Sequence, residues 1–180
     1  YIADGIKIKA AEADAMYAGI VIDTNNFTNQ TGVRTFEAAA FLRRYGADVT
    51  RVRKAFRNDM ETYKARAEAV RHAEAFMGCY AISVCPSEGL ESPNVVGAQA
   101  ANELLNIIGV KASFVLTDYN GKIFISARSI DEVNVQIIME RLGGGGHMNI
   151  AGAQLTGTDL DGARQKLKEV LTQMTKEGAI

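Results

Sequence analysis

Lys111-Ala112-Ser113-Phe114-Val115-Leu116-Thr117-Asp118-Tyr119-Asn120-Gly121-Lys122-Ile123-Phe124-Ile125-Ser126 reads as two strands around a tight turn. Asn-Gly between two apolar runs is the strongest short hairpin signal, so strands are expected over 111–117 and 122–126, paired antiparallel. Upstream, Tyr80 to Cys85 reads as a further strand, and Ser92-Pro93 opens a helix as cap and first-turn residue. Ala101, Leu104, Leu105 and Ile108 line the buried face of that helix. Two more helices are predicted downstream, Val133 to Leu142 and Asp159 to Lys176, each with one apolar face.

Toward the N-terminus the spacing predicts a helix over Ile6 to Tyr17, then a short buried strand, Ala18 to Asp23, with Asp23 at its C-terminal end. A polar loop, Thr24 to Arg34, precedes a helix from Thr35 to Tyr45 closed by Gly46. A helical pair follows. Met60, Tyr63, Ala67 and Val70 give its long second member an apolar face as far as about Ala75, and a domain junction is placed at Phe76 to Gly78. Helices alternate with strands and no internal repeat is present, so the expected class is α/β in two unequal pieces, 1–77 and 78–180.

Composition narrows the function. Among 180 residues, 47% apolar, twenty basic side chains balance twenty-one acidic ones, so no global field draws the chain to nucleic acid or an anionic membrane. Any phosphate binding must be local. Cys79 and Cys85 flank one strand and are too far apart to bridge, which leaves reduced core thiols and suits a cytoplasmic setting. No apolar run approaches the length of a membrane span, so no membrane contact is expected from this segment. The chain begins at Tyr1 without Met, in the approach to a helix, and a cut boundary is expected there.

Three stretches could carry chemistry. In Leu142-Gly143-Gly144-Gly145-Gly146-His147 the absent Cβ atoms let a ligand approach consecutive N–H groups, and His147 could add a donor; a plain helix exit explains the same run equally well. Because the run follows a helix C-terminus, whose carbonyls repel anions, a nest of amides would have to hold the phosphate. Ser126 and Arg128 share one face of an extended segment, and Arg128 could grip phosphate with two N–H groups or form an ordinary salt bridge. Asp23 at a strand end suits a divalent-metal ligand, or a turn residue, but no second acidic motif stands at a suitable spacing.

Together these stretches resemble the DHH and DHH-associated domain phosphodiesterases, and most closely the GdpP (YybT) branch that acts on cyclic-di-AMP. The matching residues are Ala18 to Phe27, Arg34-Thr35-Phe36-Glu37-Ala38-Ala39, Ile125-Ser126-Ala127-Arg128-Ser129, and Asn134 through Gly143 to His147. The resemblance implies the C-terminal part of a DHH domain joined by a long helix to a DHH-associated domain with a mixed sheet. It implies that Asp23 is one ligand of a two-manganese (Mn2+) centre whose other ligands lie N-terminal to this chain, the Asp-His-His motif being absent. Ser126, Arg128, Asn134, Gly144, Gly145, Gly146 and His147 would bind the phosphate and nucleotide end of a cyclic dinucleotide or linear adenine dinucleotide. The implied reaction is hydrolysis of cyclic-di-AMP to pApA by a parent anchored in the bacterial membrane, with this segment in the cytoplasm. This chain alone is then expected to bind weakly and to hydrolyse poorly or not at all. The rival reading is a single-stranded oligonucleotide or RNA module, which the balanced charge disfavours. Apolar surface left bare by the missing sheet leads to an expectation of self-association, or disorder in the first thirty or so residues.

Overall fold

The computed structural model describes residues 7–28 and 31–180. The chain divides into two compact units, Tyr1–Asn58 and Asp59–Ile180.

The first unit contains three helices, α1 (Ala10–Asp23), α2 (Val33–Arg44) and α3 (Val49–Ala55), around a small core of Ala13, Tyr17, Ala39, Leu42, Ala47 and Val52. The strand expected over Ala18 to Asp23 is instead the second half of α1. A six-residue apolar run fits a strand or a helix equally, and here the upstream period decides. Ala13, Tyr17 and Thr24 are buried with Ile20 and Val21 packed beside them, while Ile22 is 62% exposed, so the 3.6-residue repeat carries through the run. The helix ends where the Thr24 hydroxyl donates to Ile20 O and accepts from Phe27 N. Asp14 ties α1 to α3 through Arg51, Nε to Oδ2 at 2.7 Å, and accepts from Asp48 N at 2.6 Å. A helix start at Ile6 lies outside the described residues.

The second unit opens with α4 (Met60–Arg71), twelve residues long. The helix expected to run to about Ala75 stops at His72, and Glu74–Phe76 forms an edge strand, β1, antiparallel to β2 (Tyr80–Cys85). Thereafter come α5 (Pro93–Leu104), β3 (Ala112–Tyr119), β4 (Lys122–Ser129), α6 (Val135–Arg141), β5 (Gly145–His147), β6 (Ile150–Leu155) and α7 (Leu160–Lys176). The six strands form one mixed sheet in the order β1-β2-β3-β4-β6-β5, in which only β2 and β3 run parallel, with α5 as the crossover between them. Asn120 and Gly121 both take positive φ, 54° and 70°, as the two-residue hairpin between β3 and β4 demands.

Strand alternation sends two sets of side chains to two cores. Tyr80, Ile82, Phe114, Leu116, Ile123 and Ile125 face α6 and α7, where Ile138, Met139, Leu167, Leu171 and Met174 are fully buried. On the other face Ala81, Cys85 and Val115 meet α4 and α5 through Ala69, Val96, Ala100, Ala101 and Leu104. Buried hydroxyls fasten these helices, Ser113 Oγ donating to Ala101 O at 2.6 Å and Ser83 Oγ to Ala69 O. α4 and α5 make their sheet contacts with β2, β3 and β4, so on this face β5 and β6 lie beyond the helical layer.

Candidate phosphate-binding site

Across β4, β6 and β5 the register aligns Ser126 with Gly152 and Gly145, and Arg128 with Ile150 and His147. Directly opposed residues point to the same side of a sheet, so Ser126, Arg128, Gly145 and His147 share the face that carries α5. A depression of about 530 Å³ opens there, lined by Asn94, Ser126, Gly144, Gly145, Gly152 and Gln154 with Phe124 and Ile125. Gly145 and Gly152 leave its floor bare of side chains, and a Cβ placed on Gly145 would meet nothing within 4 Å.

The glycine run is not a loose helix exit. Gly143 takes φ +78° after α6, its N–H bonding Glu140 O at 3.0 Å while Gly144 N–H bonds Met139 O at 2.8 Å. This is a Schellman closure, and it occupies two of the carbonyls expected to repel an anion, those of Met139 and Glu140. Gly145 to His147 then continue as the edge strand. The opposite electrostatic end of a helix stands at the depression: Asn94 lies in the first turn of α5, whose N-cap Ser92 makes no side-chain capping bond. A helix N-terminus favours negative charge through its dipole, although here Pro93 has no N–H and the Val95 and Val96 N–H groups already bond Ser92 O.

Arg128 is half-buried two residues along β4 from Ser126. Its Nη1 donates to Ala127 O at 2.9 Å, its Nε is shut from solvent without a partner, and burial pushes its pKa below the ordinary guanidinium value. Among the described residues no carboxylate pairs with it, so the salt-bridge alternative for this side chain is not realised, and none of the residues lining the depression is charged. A half-buried cation without a counter-ion is costly unless an anion arrives.

Three further expected site residues of the second unit, Asn134, Gly146 and His147, do not line the depression. His147 is exposed at the end of β5, and Asn134 caps α6, its Oδ1 accepting from Gln136 N at 3.0 Å. Gly146, at φ +148°, packs against Ala151 rather than toward the cavity. Asp23 is exposed at the C-terminus of α1, in the other unit, and among the described residues no group of three or more His, Cys, Asp or Glu side chains converges as a metal site. Sequence reasoning passed over Asn94; the Ser92-Pro93 cap marked its helix, but only the crossover shows that the helix starts beside Ser126.

Residues 79–173, which hold five of the six strands, β2 to β6, and this depression, match the DHHA1 domain model. The chain is 44% identical to the cyclic-di-AMP phosphodiesterase GdpP of Geobacillus thermodenitrificans over 92% of its length and 25% of the relative's. It is 41% identical to GdpP of Bacillus subtilis, over 96% of this chain and 27% of that one. The cyclic-di-AMP phosphodiesterase PdeA of Listeria monocytogenes is 42% identical over 93% of this chain and 25% of its own. The chain thus spans about a quarter of the length of these curated relatives. In fold it is similar to an exopolyphosphatase-related protein of Bacteroides fragilis, with a TM-score of 0.80 at 20% identity, over 94% of this chain and 51% of that one. Matched by the family model over more than half its residues, with strands β2 to β6 and the glycine-lined face on that matched span, the chain belongs to the DHHA1 domain family.

Proposed function

We propose that this chain is the substrate-binding part of a phosphodiesterase that hydrolyses cyclic-di-AMP to pApA, and that it holds the phosphate of a cyclic or linear adenine dinucleotide against Ser126, Gly144, Gly145 and Arg128. The observation that carries the reading is Arg128: a half-buried guanidinium with an orphaned Nε and no carboxylate partner, on one face with a side-chain-free floor. The names of the similar proteins support the choice of dinucleotide. His147, at the rim of β5, would close on the ligand; Gly146 and Asn134 would support the strand and the helix beside it. Asp23 would give one ligand to a manganese centre, for which the described residues of this chain do not supply the rest. The chain alone therefore binds and turns over poorly. Among the described residues no helix is long and apolar enough to cross a membrane, and membrane anchoring belongs to the parent in this reading. Self-association is part of it too, through exposed Val33 and Phe36 on α2.

Calorimetric titration of pApA and cyclic-di-AMP, with manganese at moderate salt, tests the proposal. Saturable binding at one site is expected, with Arg128→Met weakening it at least about tenfold, the worth of one charge-assisted contact. Equal affinity in wild type and Arg128→Met would end the reading. A steep loss of affinity with salt and strong competition by single-stranded RNA would favour the polynucleotide module instead.

A further inference from the structure

Two side-chain atoms among the described residues are buried without a hydrogen-bond partner, Arg128 Nε and Asn94 Oδ1, and both belong to side chains of the depression or its immediate face. Arg128 is explained by an anion. Asn94 is not, because a phosphate offers acceptors only and would leave Oδ1 as unpaired as before. We propose that the Asn94 carboxamide reads the base of the bound nucleotide, taking an adenine amine on Oδ1 while Nδ2 donates to the adjacent ring nitrogen. The assignment rests on the dinucleotide reading above and adds to it the group that selects the base.

The physical case has three parts. First, an unpaired buried acceptor destabilises the ligand-free protein, and such groups are few in native structures, so a binding partner is the economical explanation. Second, a carboxamide presents one donor and one acceptor side by side, and the adenine edge presents the complementary amine and ring nitrogen at matching separation. No other part of a dinucleotide offers that pair. Third, Asn94 sits on the α5 side of the depression, whose lining also includes the glycine floor on β5 and β6 and the apolar, half-buried Phe124 on β4. A flat base can lie on such surface while its phosphate lies toward Arg128. The resting Asn94 has its acceptor turned inward, so binding turns the amide and relieves the orphaned atom.

The test uses the full chain, pApA, and the same dinucleotide with purine in place of adenine, which lacks the exocyclic amine. Wild type should prefer pApA by about tenfold or more, and Asn94→Ala should bind both ligands equally and weakly. Ligand-free Asn94→Leu should melt no lower than wild type, since it replaces an unpaired acceptor by an apolar group of similar size. The assignment is overturned if wild type does not distinguish the two ligands, if Asn94→Ala keeps the full preference, or if Asn94→Leu melts several degrees lower. Binding that is lost in Arg128→Met yet blind to the amine defeats the Asn94 assignment alone. Absence of saturable pApA binding in wild type defeats the dinucleotide reading and this assignment with it.

Discussion

A Cβ added at Gly145 meets no atom within 4 Å, whereas one at Gly144 would overlap Gly152 O and one at Gly146 would lie 2.5 Å from Ala151 Cα. Neighbouring glycines in one run therefore exist for different reasons. Gly144 and Gly146 serve the close approach of β5 to β6, and Gly146 also needs its φ of +148°. Gly145 meets no such packing demand, and the open space above it fits the ligand approach proposed for this floor. Gly146→Ala should cost about 2–4 kcal/mol in urea unfolding, from backbone overlap together with a strained φ. Gly145→Ala should stay within about 0.5 kcal/mol of wild type and yet weaken pApA binding, because its methyl group projects into the depression. Unchanged affinity in a folded Gly145→Ala would mean that no ligand approaches this floor. The sequence displayed the run but not this division of labour, since each role depends on which backbone lies opposite. Ser126 and Arg128 were legible as a pair, because alternation along a strand is a local rule. Asn94 was not, because its neighbours come from strands distant in the chain.

Elements were legible where a local signal stood alone. The β3–β4 hairpin carries Asn120-Gly121 and α7 carries a long apolar stripe, and each lies where its pattern puts it; α5 starts at its Ser92-Pro93 signal but ends at Leu104, short of the expected buried positions Leu105 and Ile108, the latter being fully exposed. Elsewhere the tertiary setting overrides the local pattern. The run Ala18 to Asp23 is short, apolar and β-branched, and helix α1 absorbs it because its buried positions continue those of Ala13 and Tyr17. Conversely Gly145 to Leu155 holds too many glycines and alanines for a strand by propensity, and becomes β5 and β6 because pairing on β4 outweighs propensity. The placement of α5 depends on one further small residue. A Cβ at Gly97 would stand 2.5 Å from Thr117 Oγ1, so Gly97 lets the helix settle on β3 and brings Asn94 to the site. Gly97→Ala should lose about 1–3 kcal/mol by overpacking. Adding Thr117→Ala should recover about 1 kcal/mol of it, seen as coupling in a double-mutant cycle by urea denaturation. Strict additivity of the two changes would show that α5 does not rest on Thr117.

At the scale of the whole molecule, both cysteines fall in the second unit, so thiol chemistry reports on that unit alone. Cys85 is 2% exposed between the sheet and α5, and burial pushes its thiol up to about 11 from an ordinary value of about 9. The folded unit therefore keeps a proton that the unfolded chain releases between these values. With fewer protons bound to the unfolded state in that window, stability is fully present below about pH 9 and falls as pH rises toward 11. A displacement of this size corresponds to roughly 3 kcal/mol. The Tyr80 phenol, also raised chiefly by burial, adds a loss of the same sign at higher pH, so the cysteine contribution is cleanest near pH 9 to 10. Urea midpoints of the second unit should drop across that interval in wild type and stay nearly level in Cys85→Ala, whose lower baseline reflects the small cavity left by the sulfur. Alkylation of Cys85 at pH 8 should proceed only as fast as the unit opens, because the thiol is both protonated and enclosed. Equal alkaline decline in the two proteins would show that Cys85 is hydrated in solution. The packing of α5 on β2, and with it the setting of Asn94 beside the sheet, would then be looser than the structure has it.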